Sequence, residues 1–282
     1  MSSILYRGLQ LNGTEAPYLL RAAEGLVGGV GVDSPRDALL GRHGVRYGSW
    51  WRRERIVDIE VDVVCWSESE LNAAVGALAA VLADVEASWP LEVTMPGVAA
   101  GNPARLDVRP AQWSLPVDTT YGNWAAQAAV QFVAADPRWR SQVEHLASVT
   151  VASESEGFTF DLTFSFTFGA AGSPGVIVIT NAGTVATTPE LRIHGPVTDP
   201  VVRNETTGTA VSLDLDLAAG SFVDISWADG ALSVLLNGTA SRYSSLVDAD
   251  RLDLVPGANS IRFGADVATA GFVEVRWRDA WL

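Results

Sequence analysis

Between Arg55 and Val64 the chain reads RIVDIEVDVV, in which Val57, Ile59, Val61 and Val63 alternate with Ile56, Asp58, Glu60 and Asp62. Period-two alternation of this kind predicts a strand with one buried and one wet face. The spacing then changes. Ser67 is followed three residues later by Glu70, and Leu71, Ala74, Val75, Leu78, Val81, Leu82 and Val85 recur at intervals of three and four. A capping box ahead of a single apolar stripe predicts an α-helix that ends before Pro90. Strands resume in LEVTM, in ARLDVRPAQW and in the run from Trp124 to Val133, so the first half reads as an α+β unit.

That unit closes on an abrupt signal. In VQFVAADPRWR a strand runs into Asp136 and Pro137, and Trp139 follows between Arg138 and Arg140. Proline has no N–H to give a ladder and disfavours helix at the residue before it, so the strand stops there. Asp136, Pro137 and Trp139 therefore mark a domain junction. Beyond it, GFTFDLTFSFTFG sets Phe158, Phe160, Leu162, Phe164, Phe166 and Phe168 on one side of a strand and polar residues on the other. Short apolar-alternating runs follow, from GVIVITN to FVEVRWR, broken by turn formers such as Asn181-Ala-Gly183, Asp229-Gly230, Asn237-Gly238 and Pro256-Gly257. No helical period interrupts them, which predicts an antiparallel β-sandwich of jelly-roll type. The expected fold is mainly β with one helix, divided into an α+β domain at 1–140 and a sandwich at 147–282.

Between Gly25 and Gly41 five glycines erase any periodicity, and a long loop is expected there. They make no GxGxxG between strand and helix, so no dinucleotide site is expected. An apolar fraction of 48% against 18% charged residues describes a globular chain. No run approaches the roughly 18 apolar residues that span a bilayer, and the N-terminus lacks a signal layout, so a chain made and used without secretion is expected. The net charge is −14, and all nineteen basic residues are arginine. Lacking lysine, the chain has neither a Schiff-base amine nor a phosphate-loop lysine. Its acidity argues against general affinity for nucleic acid or anionic membrane.

Candidate chemistry is sparse. The arginine cluster WWRRER, diluted by Glu54, makes Trp50, Trp51, Arg52 and Arg53 candidate subunit-contact residues. Cys65, the single cysteine, excludes an intrachain disulfide framework and reads as a buried, inert thiol. His43, His145 and His194 are far apart and have no metal-like spacing, and no GxSxG is present. Asp58, Glu60 and Asp62 read as a wet strand face, as do Asp214, Asp216 and Asp224, rather than as acid–base pairs. No catalytic residue, metal or cofactor is expected. Trp227, Tyr243, Trp277 and Trp281 are candidate sugar-stacking residues, which leaves open an alternative reading as a host-glycan binder.

The order and spacing of these features resemble the distal tail proteins of long, non-contractile-tailed bacteriophages. The resemblance is carried by RGLQLNG, the glycine-rich stretch ahead of RERIVDIEVDVV, the capped helix and the FVAADPRW closure. NAGTVATTPELRIHGPV and PGANSIRF in the second half complete it. It implies a structural protein without catalytic residues to carry over. The first domain would form a homohexameric ring that continues the tail tube, and the second a galectin-like or carbohydrate-module-like sandwich. The implied partners are further copies of the chain, the tail tube protein, the tape-measure protein, and tail-tip hub and receptor-binding proteins. The implied place is the virion tail tip, around a channel for DNA, with no stable nucleic-acid binding and no membrane insertion.

Overall fold

The computed structural model describes residues 2–13, 17–39, 41–117, 119, 121–151, 175–228, 230–268 and 270–282; the phenylalanine run at 158–168 lies outside them. The chain divides into two compact units, Met1–Gln142 with Trp281–Leu282, and Val143–Ala280. Each has its own apolar core.

The first unit is an antiparallel sheet in the order Leu9–Gln10, Ser3–Tyr6, Trp89–Thr94, Ala104–Ser114, Ala125–Ala134, Arg55–Val64, Tyr18–Glu24. The strand Arg55–Val64 pairs along its whole length with Ala125–Ala134. That register turns Val57, Ile59, Val61 and Val63 inward beside Ala126, Ala128, Val130 and Phe132. The helix spans Glu68–Leu82 and buries Leu71, Ala74, Leu78 and Leu82. At its start Ser67 Oγ accepts the Glu70 N–H at 3.2 Å, and Glu70 Oε2 accepts the Trp66 N–H at 2.8 Å. The Tyr18 hydroxyl ties the helix to the sheet by donating to the Ala74 carbonyl at 2.6 Å.

Two sequence expectations change here. The apolar stripe overruns the helix, for Val85 is exposed. The Asp84 carboxylate accepts the Glu86 and Ala87 N–H groups and, at 2.9 Å, the Trp89 indole, a local turn that ends the helix early. The glycine-rich stretch is also more than a loop. Val32–Asp33 pairs with Trp51–Arg52, and Arg36–Ala38 pairs with Val45–Tyr47. Every described residue from 35 to 54 is exposed. Strands so short that bury neither face leave no alternation to read.

In the second unit one antiparallel sheet runs His145–Thr150, Phe272–Trp277, Glu190–His194, Phe222–Ala228, Ala231–Leu236, Ala240–Ser241. The other runs Val176–Asn181, Gly257–Gly264, Val201–Asn204, Thr209–Leu213, Leu246–Ala249. Both contribute to one core, including Ile193, Val223, Ile225, Val273 and Val275 from the first and Ile179, Val202, Val211, Ile261 and Phe263 from the second. This is the sandwich the turn punctuation predicts. Buried Asn181, Asn204 and Asn259 stitch its loops: Asn181 donates to the Val185 and Leu254 carbonyls, Asn204 to Asp253, and Asn259 to Val255 and Gly257.

The last two residues leave the sandwich. Trp281, 5% exposed, lies in the first unit's core. We expect Trp281→Ala to destabilise that unit by about 3–5 kcal/mol, the usual cost of emptying a buried aromatic site. Hydrogen exchange would read it as lost protection across Ala104–Ser114 with the sandwich amides unchanged. Loss confined to the sandwich would contradict the placement of Trp281.

Candidate assembly surfaces

The junction residues form a charged turn at the edge of the first core. Asp136 accepts hydrogen bonds from the Arg138 N–H at 3.1 Å, from Arg138 Nε at 2.9 Å, from Arg138 Nη2 at 2.7 Å and from Arg140 Nη2 at 2.7 Å. Burial pushes its carboxyl upward, but the Arg138 hydrogen bond and the charges of Arg138 and Arg140 outweigh this and hold it at about 2. Arg140 also reaches to 3.9 Å of Asp107, which pairs with Arg105 at 2.6 Å. Trp139 is 1% exposed and donates its indole N–H to the Leu26 carbonyl at 3.2 Å. The aromatic after the Asp-Pro stop is thus an anchor into the first unit.

Arg55, read in the sequence as part of a surface cluster, is buried. Its Nε donates to the Pro137 carbonyl at 2.9 Å and its Nη1 to the Gly25 carbonyl at 2.8 Å, and its guanidinium lies 5.9 Å from the Trp139 ring centroid. Sequence reasoning missed this role because the neighbouring arginines hide it. The available signal was period two, which puts Arg55 on the same face as Val57 and Ile59.

Trp50, Trp51, Arg52 and Arg53 lie together on the exposed ribbon. Trp50 is 63% and Trp51 57% exposed. Tyr47 packs on Trp50 with ring centroids 5.2 Å apart, and Arg36 lies over Tyr47. Arg53 is fastened to Asp33 by two hydrogen bonds and to the Gly31 carbonyl through its N–H. Cys65 is buried, and burial, with Glu70 nearby, raises its thiol above the ordinary cysteine range.

The sandwich does not bring Trp227, Tyr243 and Trp277 onto one platform. The register line Ile225–Leu191–Val275 puts Trp227 and Trp277 on the inner face, where both are half-buried against the core. Trp277 donates its indole to the Thr180 carbonyl at 3.1 Å and stacks on His145, which meets Asp279 at 3.2 Å. Tyr243 is exposed on a separate 3-10 turn. His194 stacks on Phe272 with centroids 4.2 Å apart. Asp224 is paired with Arg192 at 2.6 Å, whereas Asp214 and Asp216 are exposed. Among the described residues no group of three or more metal-ligating side chains converges. The chemistry on offer is contact chemistry: aromatic, arginine and carboxylate surfaces.

Comparison with known proteins agrees with that character. Residues 182–281 match the family described as siphovirus-type tail component, C-terminal domain. The sandwich is similar in sequence to siphovirus-type tail component domains. The fold likeness extends beyond it. The Dit protein (gp 19.1) of phage SPP1, described as a paradigm of the hub adsorption apparatus of phages infecting Gram-positive hosts, superposes with a TM-score of 0.63 at 14% identity, covering 99% of each chain. A chain of the phage P2 baseplate in its calcium-activated conformation gives a TM-score of 0.51 at 10% identity, over 98% of this chain and 97% of that one. The strontium-activated baseplate gives 0.52 at 9% identity, with the same coverage. No curated protein matches in sequence. The resemblance to distal tail proteins drawn from motif order is thus borne out, in sequence for the tail component domain and in fold for the whole chain.

The junction turn makes a pH prediction. The folded-state pKa of Asp136 is depressed, so its contribution is complete above the unfolded carboxyl range near 4 and is lost as pH falls through about 2. Asp136→Asn should cost about 1–2 kcal/mol at neutral pH, after allowance for partial exposure. The gap from the parent in urea unfolding should close between about pH 4 and pH 2. A gap that stayed constant with pH would show that the charge is not what holds the turn.

Proposed function

We propose that this chain is a structural hub of a siphovirus-type phage tail. In this reading, copies assemble into a six-membered ring that joins the tail tube to the tail tip and leaves a channel for DNA. The observation that carries it is the end-to-end likeness to the SPP1 Dit hub combined with the family match of the sandwich. Ring formation is assigned to the first unit, and Trp50, Trp51, Arg52 and Arg53 to its subunit contact. A net charge of −14 suits such a channel, because an acidic wall repels a passing phosphate backbone. Tail tube, tape-measure and receptor-binding proteins are the partners this reading assigns.

The role requires no turnover, and the Asp136, Arg55 and Trp139 geometry serves structure alone. We expect native mass spectrometry of the purified full chain to give a six-subunit species or a multiple of it, and assays on polysaccharide, peptidoglycan and ester substrates to give no product. A monomer at every concentration would sink the ring. Specific hydrolysis abolished by one Asp or Glu substitution would overturn the structural reading.

A further inference from the structure

The exposed ribbon is an unusual object for a free monomer. Residues 31–53 hold two short strand pairs, yet none of the side chains described from 35 to 53 is buried. An isolated two-stranded ribbon is marginal in water, and here no packing of its own offsets the ordering of its backbone. Its aromatic cluster, Tyr47, Trp50 and Trp51, presents on the order of 300 Å² of ring surface, comparable to the largest apolar patch of a typical monomer. Its charge runs against the rest of the chain. Five arginines stand against two aspartates between residues 31 and 53, in a protein of net charge −14.

The same unit has an apolar groove of about 750 Å³ between the helix and the strand ends near Tyr18 and Val64. Leu19, Val64, Trp66, Ala73 and Ala77 line it, and Trp66 is 86% exposed. The one charged side chain in its lining is Glu70; Glu68 shares the helix's first turn, and the helix carries no basic residue. Small alanines on the helix leave room for large rings.

We propose that the ribbon of one copy docks in this groove of the next, with the Trp50–Trp51 rings on Ala73 and Ala77 and Arg52 and Arg53 toward Glu68 and Glu70. The occupant is a second copy because the ribbon supplies the positive charge that complements the groove's carboxylate and carries rings that fit beside its small alanines. Donor and acceptor surfaces differ, so the contact is head-to-tail, which makes a ring when the rotation between successive copies closes. The inference rests on the ring reading and names its interface.

The test uses the full chain with Cys65→Ala, and adds Ser49→Cys beside the tryptophans and Ala73→Cys on the groove, both at exposed positions. A short bis-maleimide should give a covalent ladder that extends past the dimer. Each single-cysteine variant should stop at a dimer at most, and mixing the two should give a heterodimer. Trp50→Ser with Trp51→Ser should raise the concentration needed for assembly at least tenfold and leave the melting temperature of the monomer unchanged. Rings without a ladder would overturn the groove assignment and leave the ring reading standing. An internally cross-linked monomer would show that the ribbon folds onto its own groove, which also overturns it. A parent chain that never assembles would remove both.

Discussion

The buried guanidinium of Arg55 is the interaction on which much of the first unit depends. It gathers backbone from three places distant in sequence: the Gly25 carbonyl, the start of its own strand and the Pro137 carbonyl. Burying a cation is costly unless acceptors surround it; charge-assisted bonds from Nε and Nη1 to the Pro137, Gly25 and Gly28 carbonyls meet most of that need, while the buried Nη2 has no partner among the described residues. Close approach is needed to supply those carbonyls. Gly25 sits at φ +78°, where a Cβ would come within 2.0 Å of the Ile56 carbonyl oxygen, so only glycine brings its own carbonyl into place. Trp139 completes the clamp by covering the guanidinium and bonding Leu26.

The clamp fixes two other features. It holds the point where the strand Ala125–Ala134 gives way to the Asp-Pro turn, so Asp136 can gather Arg138 and Arg140. It also roots the exposed ribbon, whose ends meet where the Arg53 N–H donates to the Gly31 carbonyl, two residues before Arg55. An arm that buries nothing of its own needs a rigid base to be presented in one direction. Copies of an acidic chain repel at long range, and in the proposed contact the basic, aromatic arm supplies the short-range attraction that association requires.

Much of the fold was legible in the sequence because it rests on periodicity. The strand at Arg55–Val64, the capped helix and the sandwich strands each bury one face over several residues, which leaves a repeat. The features that were not legible lack a repeat. Trp281 enters the first core alone at the end of a run that reads as sandwich strand. The ribbon strands are two or three residues long and wet on both sides. Arg55 is a single buried charge in a run of exposed ones, and only its phase with Val57 distinguishes it. Among candidate site residues, Trp139 and Asp136 stood out because Asp-Pro forces a stop. Trp227 and Trp277 are sugar-stacking candidates by residue type alone; their period-two phase with Ile225 and Val275 is the signal that puts them on the inner face.

The central claim is that this chain is a ring-forming component of a phage tail tip. Imaging the intact particle at a resolution that traces the backbone tests it most directly. The account predicts six copies around the tail axis at the junction of tube and tip, with the first units touching one another and an open channel between them. Density for this chain as isolated single copies, or at a site away from the tail tip, would contradict it.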